Sequence, residues 1–158
     1  MICSTRVDNR LLHGQVAYAW TKELGVNAIL IANDAVAQDP VRKSMMKLAK
    51  PEGTKLVFKS VAESARLINA GATDPYRLFI IVESVTDLVR LVDACPKIDA
   101  VNLGNANPHE GARAIDKTFY ITPEEEQTLR ELEAKGVRIF LQRVPDVAAT
   151  EFSSAISS

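Results

Sequence analysis

Residues 76–82 read YRLFIIV, and the end of this segment, LFIIV (78–82), is an uninterrupted apolar run. A strand that faces water on one side alternates apolar and polar residues, whereas a strand covered on both faces is apolar throughout. The segment therefore predicts a central strand in a sheet that has helices on both of its faces.

Short apolar segments of the same kind recur on both sides of LFIIV and alternate with segments of helical spacing. Strands are predicted at ICSTRV (2–7), VNAILIA (26–32), TKLVFK (54–59), YRLFIIV (76–82), IDAVNL (98–103), KTFYI (117–121) and VRIFLQRV (137–144). Helices are predicted near 14–24, 39–49, 60–70, 84–94 and 122–135. This alternation is typical of an α/β fold with a largely parallel sheet.

We therefore predict one α/β domain over residues 1–158, a doubly wound, mainly parallel sheet of six or seven strands with helices on both faces. The tail after about residue 145, which ends FSSAISS, is either a short helix or frayed. Three of the predicted helices begin with a capping-box pattern, a hydroxyl followed three residues later by an acid. The pairs are Ser60 with Glu63, Ser84 with Asp87, and Thr122 with Glu125.

Composition excludes several classes of protein. Lys and Arg number 19 against 20 Asp and Glu, so no general basic surface recruits nucleic acid. The sequence lacks a signal peptide and a long apolar run, which predicts a cytoplasmic protein. Cys3 and Cys95 are isolated, which predicts reduced thiols, and we expect neither a metal nor another cofactor.

The segment VRKSMMKLAK (41–50) carries four basic residues within the second predicted helix. We interpret it as a solvated face, with contact to an acidic partner as the alternative.

An unusual cluster of charge follows the first predicted strand, in RVDNRLLHGQV (6–16). In an open parallel sheet, ligands bind beyond the carboxyl ends of the strands, where the following helices begin. The first helical turn, Gly14–Val16, therefore places free backbone N–H groups beside His13 and forms an anion site. Arg6 and Arg10 add guanidinium groups that bind two phosphate oxygens at once. The cluster indicates an anion site, in which the His13 imidazole is a candidate nucleophile.

The residues alone leave open the role of Asp8 and two other interpretations of the whole cluster. Asp8 either orients one of the arginines or fixes the tautomer of His13. In a purely structural interpretation, His13 caps the helix and Asp8 pairs with an arginine on the surface. The other functional interpretation is a non-catalytic regulatory domain that binds a phosphate-bearing molecule, which needs the arginines and the helix end but no nucleophile.

The stretch NLGNANPHEGARAID (102–116) follows the strand predicted at 98–103, so it lies at the same edge of the sheet as His13. Its glycine-containing start lets the backbone approach a phosphate closely. We expect phosphate-binding residues at Gly14, Gln15, Gly104 and Asn105. His109 is a second candidate for phosphorylation, but an exposed loop histidine is the favoured interpretation.

RVDNRLLHGQV resembles the signature of the IIB component in the mannose/fructose/sorbose family of the phosphoenolpyruvate-dependent sugar phosphotransferase system. Three further stretches also resemble that family, so the resemblance covers nearly the whole chain. They are NDAVAQDPVRKSMMKLAKPEGTKL (33–56), DAVNLGN (99–105) and ITPEEEQTLRELEAKGVRIFLQRVP (121–145).

The resemblance implies a phosphoryl carrier. His13 matches the phosphorylated histidine, which receives its phosphoryl group from a histidine of a IIA protein or domain. The group then passes to a sugar that enters through the IIC and IID membrane components, with the carrier at the inner face of the membrane. Arg10 matches an arginine that contacts the phosphoryl group, and Arg6 and Asp8 match flanking catalytic positions. The sugar and any association into homo-oligomers stay open.

Overall fold

The computed structural model describes residues 1–157, in which a seven-stranded sheet forms the centre of the molecule. Its strands are β1 (Ile2–Asp8), β2 (Ala28–Ala32), β3 (Lys55–Lys59), β4 (Leu78–Val82), β5 (Ala100–Asn105), β8 (Arg138–Leu141) and β9 (Thr150–Glu151). The order is β3-β2-β4-β1-β5-β8-β9; only the β8–β9 pairing is antiparallel. The mainly parallel α/β sheet predicted from the sequence is confirmed.

The helices lie on both faces of this sheet. They are α1 (Gly14–Leu24), α2 (Asp34–Ala37), α3 (Pro40–Leu48), α4 (Val61–Asn69), α5 (Val85–Ala94), α6 (Pro123–Ala134) and α7 (Phe152–Ile156). Helices α1 to α3 pack in one apolar cluster and α4 to α7 in the other. The residues of β4 alternate between the two faces: Phe79 and Ile81 belong to the first cluster, while Leu78, Ile80 and Val82 belong to the second. No helix within residues 1–157 has the length and apolar character needed to span a bilayer.

The strand predicted at 117–121 does not belong to the central sheet. Residues Phe119–Ile121 form β7, which pairs antiparallel with β6 (Arg113–Asp116) in a separate hairpin. The segment is buried on alternate residues only, at Phe119 and Ile121, as suits a hairpin packed on one side. The prediction of a central strand at 117–121 was wrong, because a short apolar run has the same sequence pattern in a hairpin as in a central strand.

Two other segments differ from the sequence prediction in extent. The strand predicted at 137–144 ends at Leu141, because the backbone N–H of Gln142 donates to the side chain of Asn102. The tail forms β9 and the short helix α7, and Ser158 lies outside the described residues.

Strand β1 lies in the middle of the sheet, between β4 and β5. The chain leaves β1 into α1 on one face, whereas it leaves β5 into β7 and α6, which pack on the other face. The connections thus diverge at the carboxyl ends of β1 and β5, where open α/β sheets bind their ligands.

Candidate active site

The loop between β1 and α1 is held by a tight turn and two buried leucines. The N–H of Leu11 donates to the carbonyl oxygen of Asp8 at 2.9 Å, and Leu11 has φ +60°. This left-handed conformation costs a leucine about 1–2 kcal/mol. Burial of Leu11 and Leu12, which are 1% and 5% exposed, offsets that cost and anchors the loop. The next residue, His13, is exposed.

His13 is the N-cap residue of α1, with extended backbone and no capping hydrogen bond from its side chain. Its carbonyl oxygen accepts the first intrahelical hydrogen bond, from the N–H of Ala17 at 2.9 Å. The N–H groups of the exposed Gly14 and Gln15 precede that bond, so they are free for an anion. The imidazole is not used as a helix cap.

Asp8 is the centre of the charge cluster. Its side chain is 1% exposed, and its two carboxylate oxygens accept from Nε and Nη2 of Arg10, both at 3.0 Å. The backbone N–H of Arg10 donates to the same carboxylate, also at 3.0 Å. The structure thus brings Asp8 to the arginine and not to the His13 ring. Of the roles left open by the sequence, orientation of an arginine is the one this geometry supports.

Arg6 lies on the buried side of Asp8. Its guanidinium is 2% exposed; Nε and Nη2 lie 3.4 Å from the Asp8 carboxylate, and Nη1 donates to the carbonyl of Gln142 at 3.2 Å. Burial lowers the pKa of Arg6, an effect that the Asp8 carboxylate opposes. Arg6 therefore contacts Asp8 from the protein interior, whereas the side chain of Arg10 is 34% exposed and faces solvent.

The second predicted loop contributes through contacts with the first. A Cβ added at Gly104 would overlap the Arg6 guanidinium, so only glycine leaves room for that group there. The Asn105 carbonyl accepts from the N–H of Asn9 at 3.0 Å, and the side chains of these two asparagines are also hydrogen-bonded. Gly104 and Asn105, expected to bind phosphate, are thus placed where they hold Arg6 and the His13 loop.

Sequence reasoning missed two residues that complete this support. The side-chain amide of Asn102 donates to the carbonyl of Gln142 at 2.8 Å and accepts from its N–H at 3.0 Å. The Gln142 carbonyl therefore accepts hydrogen bonds from both Asn102 and Arg6. The only available signal was a polar residue inside the apolar strand β5, where Asn102 is 2% exposed.

His109 has a different environment from His13. Its ring nitrogens are each 2.8 Å from an acceptor, Nδ1 from the Asn107 carbonyl and Nε2 from Glu125 of α6. Residues 1–157 contain no group of three or more His, Cys, Asp or Glu side chains arranged to hold a metal ion.

The cluster as a whole is suited to an anion, since it holds two guanidinium groups against one carboxylate and the N-terminus of α1 follows in the same loop. An α/β protein with such a loop at the point where its strand connections diverge belongs to the phosphate-handling proteins of this architecture.

Comparison with known proteins agrees with this class. The family described as the sorbose subfamily IIB component of the phosphotransferase system matches residues 2–158. A probable phosphotransferase enzyme IIB component of Streptococcus pyogenes is 33% identical, with 99% of this chain and 100% of the relative covered. The mannose-specific EIIAB component of Escherichia coli is 32% identical over 88% of this chain, which spans only 43% of that protein. The IIBSor domain of the Klebsiella pneumoniae sorbose permease superposes with a TM-score of 0.92 at 27% identity, covering 99% and 96% of the two chains.

The chain therefore belongs to the sorbose subfamily of IIB components, which transfer phosphoryl groups in the sugar phosphotransferase system.

Proposed function

We propose that this IIB component carries the phosphoryl group on His13. It accepts the group from a phosphohistidine of a IIA protein or domain and delivers it to a sugar at the IIC and IID membrane components, from the cytoplasmic side. The observation that carries this proposal is the exposed His13 at the N-terminus of α1, in the same short loop as Arg10, which Asp8 holds through two side-chain hydrogen bonds. A regulatory anion-binding domain would need the arginine and the helix end, but no exposed nucleophile.

The first transfer exchanges one N–P bond for another. A lone pair on a ring nitrogen of His13 attacks phosphorus, and the N–P bond of the donor breaks with its electron pair returning to the donor ring. The His13 ring gives up one proton in this step and the donor ring takes one up, so the exchange balances. In the second transfer, a sugar hydroxyl oxygen attacks phosphorus, the His13 N–P bond returns its electron pair to the ring, and the ring takes up the proton that the hydroxyl loses. Catalysis of such steps consists mainly of positioning and charge stabilisation.

The residues around His13 supply those two effects. Asp8 faces the Nε–Nη2 edge of Arg10, so the Nη1 group provides further donors for the phosphoryl oxygens. The N–H groups of Gly14 and Gln15 point toward the same charge from the helix end. Three further residues act indirectly. Arg6 pairs with Asp8, Gly104 leaves room for the Arg6 guanidinium, and Asn105 is hydrogen-bonded to Asn9 of the loop.

Labelling with phosphoenolpyruvate tests the assignment of His13. Incubation with the general phosphotransferase proteins and a cognate IIA protein should label one histidine in an acid-labile linkage. We expect His13→Gln to abolish the label and His109→Gln, the matched control, to retain it. Label that survives His13→Gln would show that the acceptor is another residue.

A further inference from the structure

Helix α3 exposes an apolar stripe that the fold does not use. Val41, Met45 and Leu48 are 68%, 66% and 90% exposed, and their i, i+4, i+7 spacing places them on one side of the helix. Across residues 1–157, only two other large apolar side chains are exposed, Met1 and Tyr18. The helix is held to the protein by its opposite side, where Met46 is buried.

The charged side chains of α3 are all basic, and Arg42 and Lys47 lie on the two flanks of the stripe. Arg42 is paired with Glu83 at 3.3 Å. Pro40–Leu48 contains Arg42, Lys43 and Lys47 and no acidic residue, although the whole chain has a net charge of −1. Exposed apolar side chains flanked by charge are typical of a protein interface, in which the apolar centre gives affinity and the charged rim selects the partner. We call Val41, Met45 and Leu48 together with Arg42 and Lys47 the α3 surface.

The α3 surface is continuous with the candidate active site. Arg10 and Leu12 of the His13 loop line a cavity of about 240 Å³ together with Arg42, Met45 and Met46. A cavity of this size admits one side chain of a partner, and flexible methionines adapt their shape to such an anchor. A protein seated on α3 would thus reach across Arg10 to His13.

We propose that the α3 surface is the docking site for the phosphoryl donor, an inference that rests on the proposed function. The partner is a protein whose phosphohistidine is surrounded by an apolar patch with an acidic rim. The basic charge argues against the membrane components, since cytoplasmic loops of membrane proteins are themselves rich in Lys and Arg. The cavity argues against a lipid surface, because headgroups supply no side chain to fill it.

A triple variant, Val41→Gln/Met45→Gln/Leu48→Gln, removes the stripe with residues that favour helix. Initial rates of His13 phosphorylation are measured against the concentration of phosphorylated IIA protein, and separately with phosphoramidate, a small donor that needs no docking surface. We expect KM for the IIA protein to rise about tenfold or more, with kcat unchanged. The rate with phosphoramidate should equal that of the wild type, which also shows that the site is intact.

Two matched controls locate the effect. Tyr18→Gln changes an exposed apolar residue of α1 and should leave KM at the wild-type value. Lys47→Glu should raise KM in a salt-dependent manner, whereas Lys135→Glu, just after α6, should not.

The outcomes separate this proposal from the proposed function. A wild-type KM in the triple variant, or a raised KM in Tyr18→Gln alone, overturns docking on α3 and leaves phosphorylation of His13 standing. If the triple variant loses binding to phosphatidylglycerol vesicles while its KM for the IIA protein stays at the wild-type value, docking of the donor on α3 is overturned in favour of a membrane contact. A wild-type protein that takes no label on His13 from either donor contradicts the proposed function and the docking proposal together.

Discussion

At the scale of single residues, the absence of a side chain at Gly104 shapes the site as much as the charges do. The guanidinium of Arg6 occupies the space where a Cβ of residue 104 would be. From there it reaches both Asp8 and the Gln142 carbonyl. The orientation of Arg10 thus depends on a buried glycine that acts only through Arg6 and Asp8.

Gly104→Ala should therefore damage both stability and transfer. The added methyl group displaces Arg6, so we expect the free energy of unfolding to fall by about 1–3 kcal/mol, measured with denaturant. Phosphorylation of His13 should also slow, because Asp8 loses its buried partner. The control is Gly14→Ala, since a Cβ there meets nothing within 4 Å. Equal unfolding free energies for the two variants would contradict this account.

The position of the candidate site could be predicted from the sequence, but the burial of Arg6 and Asp8 could not. The order of strand, charged loop and helix predicted His13 at the sheet edge, because that depends on local sequence and on a general property of parallel sheets. The burial of Arg6 depends on Gly104 and Gln142, which local patterns around Arg6 do not reveal. The same limit applies to Asp8, whose partner among several neighbouring charges is decided by packing.

At the scale of elements, the three capping-box patterns show how far spacing alone predicts contacts. In each helix the predicted hydroxyl accepts from the N–H three residues on. Only in α6 does the acid return the bond, from Thr122 N–H to Glu125 at 2.9 Å. The Glu63 and Asp87 carboxylates instead accept from Arg66 and Arg90, one turn further along. Spacing therefore identified the neighbouring groups, whereas the arginines of α4 and α5 bind the two acids that did not return the bond.

His109 joins the β5–β6 loop to Glu125 of α6, so we expect the stability of the fold to depend on pH through this contact. The Asn107 carbonyl and the Glu125 carboxylate raise the pKa of His109. A histidine with a raised pKa in the folded state stabilises the fold fully below its ordinary value of about 6.5, and this contribution is lost as pH rises through the raised value. His109→Gln should therefore be less stable than the wild type at pH 5.5 and similar to it at pH 8.5.

The expected difference is only about a few tenths of a kcal/mol, because the ion pair with Glu125 is open to solvent. Denaturant unfolding at the two pH values measures it. A stability difference that is the same at both pH values would show that the His109 charge does not hold the loop.

At the scale of the whole molecule, one buried polar network joins three neighbouring strands. Asp8 ends β1, Arg6 lies within β1, Asn102 lies in β5 and Gln142 follows β8. Hydrogen bonds link them in series through the Gln142 carbonyl. Buried charges are costly unless they are paired, and apolar residues of similar size often replace such pairs without loss of stability. We infer that this network is present to orient Arg10, not to stabilise the sheet.

Two variants separate these roles. Asp8→Asn leaves the Arg6 guanidinium buried without a counter-ion, so it should lower the free energy of unfolding by about 3–5 kcal/mol. The double variant Arg6→Met/Asp8→Asn removes the unpaired charge and should recover a large part of that loss in denaturant unfolding. Phosphorylation of His13 should stay slow in both, because Arg10 has lost the carboxylate that holds its guanidinium. If the double variant instead transferred at the wild-type rate, the pair would be a structural feature only, and the orientation of Arg10 would have to come from elsewhere in the loop.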